Sequence, residues 1–193
     1  MLPDIPTEMP SVLLRLLKEE DAFELSLLIN QNHEYLREWL PWVGESSDAS
    51  HELKFINTCS EQAAAGMEFH YAILVDREIA GIVSFNQIQK HNRCATLGYW
   101  LAKPHTGRGI MTSAVKALVA AGFEYLGLHR IQAGVATGNH QSQAVCDRAG
   151  FTKEGVLRQG EWLHDHYVDI TINGLLKPEW KTSARTVEPG ETE

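Results

Sequence analysis

The sequence predicts a mixed α/β (α+β) fold: a mostly antiparallel central sheet flanked by helices, with one strand–helix–strand crossover at its centre. Three observations carry that expectation. Three strand-like runs, Phe69–Val75, Ile79–Gln89 and Cys94–Ala102, follow one another through short polar connections, as in an antiparallel meander. The stretch from Cys94 to Gly127 passes from strand, through a turn with two glycines, into a helix whose apolar residues Met111, Val115, Leu118 and Val119 recur at helical spacing. A second strand, helix and strand pair then follow, which gives the order β, two helices, three strands, α, β, α, two strands.

The elements justify themselves in turn. Residues 1–11 read as an arm, because three prolines leave little periodicity. Val12–Leu17 reads as the first strand. Glu19, Glu20 and Asp21 are acids suited to a helix start, and Ala22, Leu25, Leu28 and Ile29 continue that helix on one face. The segment His33–Val43 concentrates Tyr35, Trp39 and Trp42 before and after Pro41, and suits a core, a dimer contact or a substrate wall equally well. Asp48 to Ser50 offers caps for a helix from His51 to about Ala65, which Gly66 stops. After the meander and the central helix, Gly127 is the expected stop. Arg130–Thr137 is a strand, and Asn139 is a natural cap for a short helix through Arg148. Phe151–Arg158 and Tyr167–Leu176 read as a strand pair joined by a loop, Gln159–His166. In the last strand Val168, Ile170 and Ile172 alternate with Tyr167, Asp169 and Thr171, so an apolar face and a polar face are expected. One domain over residues 12–180 is thus expected, with a polar, disordered tail over 181–193.

Composition narrows the function classes. At 193 residues the chain is long enough to bury a proper core. No apolar run approaches the roughly 20 residues a membrane-spanning helix needs, and MLPDIPTEMP does not read as a signal peptide. Three widely spaced cysteines, Cys59, Cys94 and Cys146, suggest no disulfide framework and fit a reducing, cytoplasmic setting. A net charge of −8 argues against direct nucleic-acid binding and favours cationic substrates. His164 and His166 share a face but lack a third ligand at a recognisable spacing, so no metal is expected.

The chemistry concentrates between strand and central helix, in His105-Thr106-Gly107-Arg108-Gly109-Ile110. Glycines there permit positive φ and let a ligand approach the backbone. Unpaired amides at a helix mouth, helped by the helix dipole, make an anion site, and Arg108 adds a cation. A phosphate or pyrophosphate is the ligand such a loop would hold, although an ordinary tight turn has the same composition.

This loop resembles the acetyl-CoA pyrophosphate loop of the GNAT acetyltransferase superfamily, with Gly107 and Gly109 at the motif glycines and Pro104 where glutamine or arginine is usual. Three further patterns resemble the RimJ/RimL branch, which acetylates protein N-termini. They are Leu36-Arg37-Glu38-Trp39-Leu40-Pro41-Trp42, Asn139-His140-Gln141-Ser142 with Arg148-Ala149-Gly150-Phe151 behind it, and residues 158–169. The resemblance spans about Val12 to Trp180, and the element order agrees with it independently.

The resemblance implies an acetyl-CoA-dependent N-acetyltransferase with acetyl-CoA as co-substrate, no metal, and a protein N-terminus as acceptor. Thr106, Gly107, Arg108, Gly109, Ile110 and Met111 would hold the pyrophosphate. Trp100, Leu101 and Ala102 would meet the pantetheine arm, with an amide near Leu101 as oxyanion donor. Asn139 would contact the pantetheine, and Ser142 would protonate the departing thiolate; both also read as plain helix-start residues. Glu161 would be the base, acting through a water, though it also reads as a solvated loop acid. Trp39, Trp42 and Tyr167 would face the acceptor, and a homodimer is implied. An α-amine of pKa about 8 is roughly a quarter neutral near pH 7.5, against roughly a thousandth for lysine, so a modest base suffices for an N-terminal acceptor. A polyamine or aminoglycoside acetyltransferase, or a catalytically silent acyl-CoA sensor, remain the alternatives. Pro104 favours the silent form, and the pair Ser142 and Glu161 speaks against it.

Overall fold

A computed structural model describes residues 3–180. In chain order the elements are β1 (Ile5–Pro6), β2 (Val12–Leu16), α1 (Ala22–Gln31), α2 (His33–Arg37), α3 (Ala49–Ala65), β3 (Phe69–Val75), β4 (Glu78–Gln89), β5 (Cys94–Leu101), α4 (Ile110–Glu124), β6 (Arg130–Ala136), α5 (His140–Arg148), β7 (Thr152–Leu163) and β8 (His166–Leu176). The strands form one eight-stranded sheet in the order β1-β2-β3-β4-β5-β6-β8-β7. Every neighbouring pair is antiparallel except β5 with β6, which α4 connects. The mixed, mostly antiparallel sheet with one central crossover is therefore present.

Helices cover both faces. Along β3, Tyr71 and Ile73 pack into the layer beneath α4, while Ala72 and Leu74 pack into the layer beneath α1 and α3. Residues buried on both faces leave no polar alternation, which is why this strand reads as a continuous apolar run. The helix ends follow their caps. The Asp48 carboxylate accepts from the amides of Ser50 and His51, and Gly66 closes α3 in the left-handed region at φ 65°.

Four local readings change. Within the expected arm, Ile5–Pro6 pair with Leu13 and Leu14, and Ile5 is buried. His33–Arg37 is a short extra helix between the two expected in the first half of the chain. The loop expected at Gln159–His166 is mostly strand, because β7 runs on to Leu163 and turns at His164–Asp165. It continues past a bulge in which Arg158, Gln159 and Gly160 stand opposite Asp169 alone. Gln159 takes φ 52°, and its amide donates to the Asp169 carboxylate at 2.7 Å. On β8 the expected polar face is turned inward. Thr171 and Asn173 are buried opposite Val135 and Ala133, under the α4 layer, and the Asn173 side chain donates to the carbonyls of Ala133 and Thr171. The expected tail, residues 181–193, lies outside the described residues.

Candidate active site

The parallel pair at the centre is short. Cys94, Ala95 and Thr96 pair with Arg130, Ile131 and Gln132, after which Leu97–Leu101 and Ala133–Ala136 have no partners in each other. A cavity of about 680 Å³ occupies the opening. Tyr99 and Trp100 both line it, although Tyr99 packs with the α4 layer and Trp100 with the α1–α3 layer. Because successive side chains of a strand point to opposite faces, a cavity touched by both crosses the plane of the sheet. The Ala102 amide donates to the Ala80 carbonyl at 2.8 Å, towards β4. Amides alternate along a strand, so the Leu101 N–H points the other way, into the opening.

The glycine loop forms one end of the cavity. Lys103–His105 make a single 3₁₀ turn with Pro104 in it, and Thr106 closes it by donating both its amide and its hydroxyl to the Lys103 carbonyl. The Thr106 amide is therefore spent within the loop. Gly107 and Gly109 have φ of 73° and 78°, and a Cβ built on either would meet no atom within 4 Å. Conformation and open space, not packing, set these glycines. The amides from Gly107 to Met111 have no backbone acceptor among the described residues, and they lie at the positive end of the 15-residue helix α4. That donor set fits a pyrophosphate. Arg108 is exposed and lies outside the cavity lining, as does the buried Ala102.

Asn139 and Ser142 form the opposite wall. The Asn139 side chain caps α5 by accepting from the Ser142 amide at 3.0 Å. The Ser142 hydroxyl donates to the Tyr99 hydroxyl at 2.8 Å, and the latter also lies 3.1 Å from the Ser142 carbonyl and 3.4 Å from Cys146 Sγ. Burial pushes the Tyr99 phenol far above its ordinary pKa, with Cys146 adding to the rise, so it stays neutral; burial raises the Cys146 thiol too.

The third wall comes from α2 and the residues after it. Trp39 lines the cavity and packs over Gly138, the Tyr35 hydroxyl faces the Gln141 side chain at 3.4 Å, and the His164 ring meets the Arg37 carbonyl at 2.9 Å. Thus the α2 segment ties the start of α5 to the β7–β8 turn. Trp42 lies half-exposed, 6.3 Å from the Trp100 ring, outside the main cavity. Tyr167 stacks edge-on against Trp162 and is also exposed and outside it. Glu161 stands opposite Val168 on β7 and does not line the cavity. Register puts Glu161, Val168 and Ile170 on the face away from α4, the face that bears Trp100. The carboxyl is half-buried without a hydrogen bond or ion pair among the described residues, and this desolvation alone raises its pKa.

Tyr99, Arg148 and His105 line the cavity, and none of them had a role in the site from the sequence alone. Tyr99 looks like an ordinary strand aromatic, and its partner is 43 positions away. Arg148 reaches the Thr112 hydroxyl at 3.2 Å and brings a cation beside the first turn of α4. His105 lines the cavity with Nδ1 buried and unpartnered. Of these, His105 heads the glycine loop and Arg148 stands in the basic last turn of a short helix, and only Tyr99 lacked any local signal.

Comparison with known proteins agrees with this architecture. Residues 11–152 match the family described as Acetyltransferase (GNAT) domain. YdaF of Bacillus subtilis, provisionally named a ribosomal N-acetyltransferase, is 35% identical over 171 residues, covering 88% of this chain and 93% of its own. The ribosomal-protein-serine acetyltransferase of Escherichia coli is 31% identical over 162 residues, covering 84% and 90% respectively. Among solved structures, the RimL ribosomal-protein α-N-acetyltransferase in complex with coenzyme A superposes with a TM-score of 0.86 at 28% identity, covering 90% of this chain and 97% of its own. With a split parallel pair opening beside a glycine-led helix, and with a family match over most of its length, this chain belongs to the GNAT acetyltransferase family.

Proposed function

We propose that this chain is an acetyl-CoA-dependent N-acetyltransferase acting on a protein N-terminal α-amine, in the manner of the ribosomal-protein-serine acetyltransferases it resembles. The observation that carries the reading is the opening between β5 and β6, with free amides at one end, the Ser142 hydroxyl on one wall and the Leu101 amide pointing in. Acetyl-CoA supplies the activated acetyl thioester. Loop amides from Gly107 to Met111, with Arg148 alongside, bind its pyrophosphate. The Leu101 N–H donates to the carbonyl oxygen as charge develops there, in a site where fixed donors act strongly.

The proton balance divides between the two faces of the sheet. On the face of Trp100, Glu161 takes the proton of the attacking amine through a water. Its raised pKa suits that task, since a carboxylate of ordinary pKa is a weaker base. As the C–N bond forms and the C–S bond breaks, the sulfur takes a proton from Ser142, which regains one from solvent. Trp39 walls the acceptor end. The protein acts in the cytoplasm as a homodimer; exposed Val156, Leu157, Trp162 and Tyr167 on β7 and β8 support such a contact.

Release of free thiol from acetyl-CoA, followed with a thiol reagent across acceptors, tests this. Peptides with a free N-terminal serine should turn over, and N-blocked copies should not. Turnover with spermidine alone would replace the acceptor class, and no turnover with any amine would remove the enzyme reading. Sedimentation of a monomer at micromolar concentration would remove the dimer.

A further inference from the structure

Ser142 meets the cavity with its proton turned away from it. Its hydroxyl donates to Tyr99 at 2.8 Å, so its hydrogen is directed at the phenol and not into the open space. A group in that state accepts hydrogen bonds and cannot serve a leaving sulfur. The Tyr99 phenol has one proton and three neighbours: the Ser142 hydroxyl, the Ser142 carbonyl at 3.1 Å and Cys146 Sγ at 3.4 Å. The carbonyl does not depend on it, because within α5 it also accepts from the amide one turn on. Rotation of the phenol proton from the carbonyl to the Ser142 oxygen costs one replaceable hydrogen bond and frees the serine proton to swing into the cavity.

We propose that Tyr99 is a positioning residue for the Ser142 hydroxyl, switching it between an inward-turned arrangement and one that aims its proton at the departing sulfur. This rests on the role given to Ser142 above. No proton leaves Tyr99; only the direction of two hydrogen bonds changes, and the sulfur's proton still comes from Ser142. Burial keeps the phenol neutral, and the neighbouring thiol is held neutral by the same burial, so the switch stays a matter of hydrogen-bond direction. The arrangement also lends the serine oxygen a donor at the moment it gives up its proton.

Three proteins test it: Tyr99→Phe, Ser142→Ala and the double variant, each measured for kcat and for acetyl-CoA affinity by calorimetry. Tyr99→Phe keeps the ring and should lower kcat about tenfold, in keeping with one lost hydrogen bond, while acetyl-CoA Kd stays within about twofold. The double variant should be no slower than Ser142→Ala, because Tyr99 acts only through that hydroxyl. Additive losses, or full kcat in Tyr99→Phe beside an impaired Ser142→Ala, would overturn the switch while sparing the role of Ser142. Full kcat in Ser142→Ala would overturn both. If Tyr99→Phe does not fold, 3-fluorotyrosine at position 99 acidifies the phenol while keeping its shape. It should change kcat in the wild-type background and not in Ser142→Ala, and an equal change in both would count against the proposal.

Discussion

The two ends of the central cleft are built from different materials. The cofactor end is made of backbone: amides at the start of α4, glycines at positive φ and a capped helix, all on elements packed into the sheet. The proposed acceptor end is made of side chains: those of the α2 segment, which line the cavity, and Glu161 on β7, which stands outside the lining on a strand whose residues are mostly exposed. Backbone donors bind any ligand with the right phosphate geometry, and only the glycines at positive φ restrict the sequence there. Side chains on an exposed hairpin can change one at a time. On the function proposed above, the difference leaves cofactor capture to one end and the acceptor, with the base that serves it, to the other.

The sharpest break of that comparison is expected from Glu161→Gln, at the acceptor end. It should lower kcat by about 10² to 10⁴-fold, the usual worth of a general base, with acetyl-CoA affinity unchanged. Raising pH should restore part of the loss for an N-terminal acceptor, because the α-amine then sheds its proton unaided. Full kcat at every pH would leave Asp165, Tyr167 or solvent as the base. The next effect, about 10²-fold in acetyl-CoA Kd, belongs to Gly109→Val at the cofactor end. A Cβ there meets no protein atom within 4 Å, so loss of affinity reports the ligand's own need for that space. Positive φ makes the same change cost about 1–2 kcal/mol of stability, and thermal unfolding should show it. Unchanged Kd by calorimetry would remove the phosphate-loop reading.

The smallest effect is thermodynamic. Burial raises the Glu161 pKa in the folded chain, so its charged form is disfavoured by folding. Stability linked to this group is present at acid pH, where the carboxyl is neutral, and is lost as pH rises through the raised pKa. Glu161→Gln should therefore raise Tm slightly at pH 7–8 and make no difference near pH 4. A variant less stable than wild type at neutral pH would show that the carboxylate has a native partner.

What the sequence revealed follows the same division. Phe69–Val75 and the caps at Asp48 and Asn139 stand as read, because each is set by its own residues. The glycine loop was legible for the same reason. Glu161 was named through a family pattern, but its setting was misread: a loop was expected where β7 continues. Nothing local announces that Arg158–Gly160 bulge around one residue, since the bulge depends on Asp169 across the ladder. Tyr99 was passed over because a half-buried strand tyrosine is ordinary until α5 folds against it. The polar face of β8 was assigned outward because Thr171 and Asn173 are polar. Inside, Asn173 satisfies itself on backbone carbonyls, which periodicity cannot foresee.

The three-residue seam between β5 and β6 has a mechanical consequence. Across it the sheet is two leaves, β1–β5 and β6–β8, stitched at one end and unstitched at the other. A ligand whose thioester arm lies between Leu101 and α5 replaces the missing stitches with its own hydrogen bonds, and acts as a rivet. Occupancy then raises stability by RT ln(1 + [L]/Kd). In such a molecule the substrate is, for the length of its stay, part of the framework that holds it.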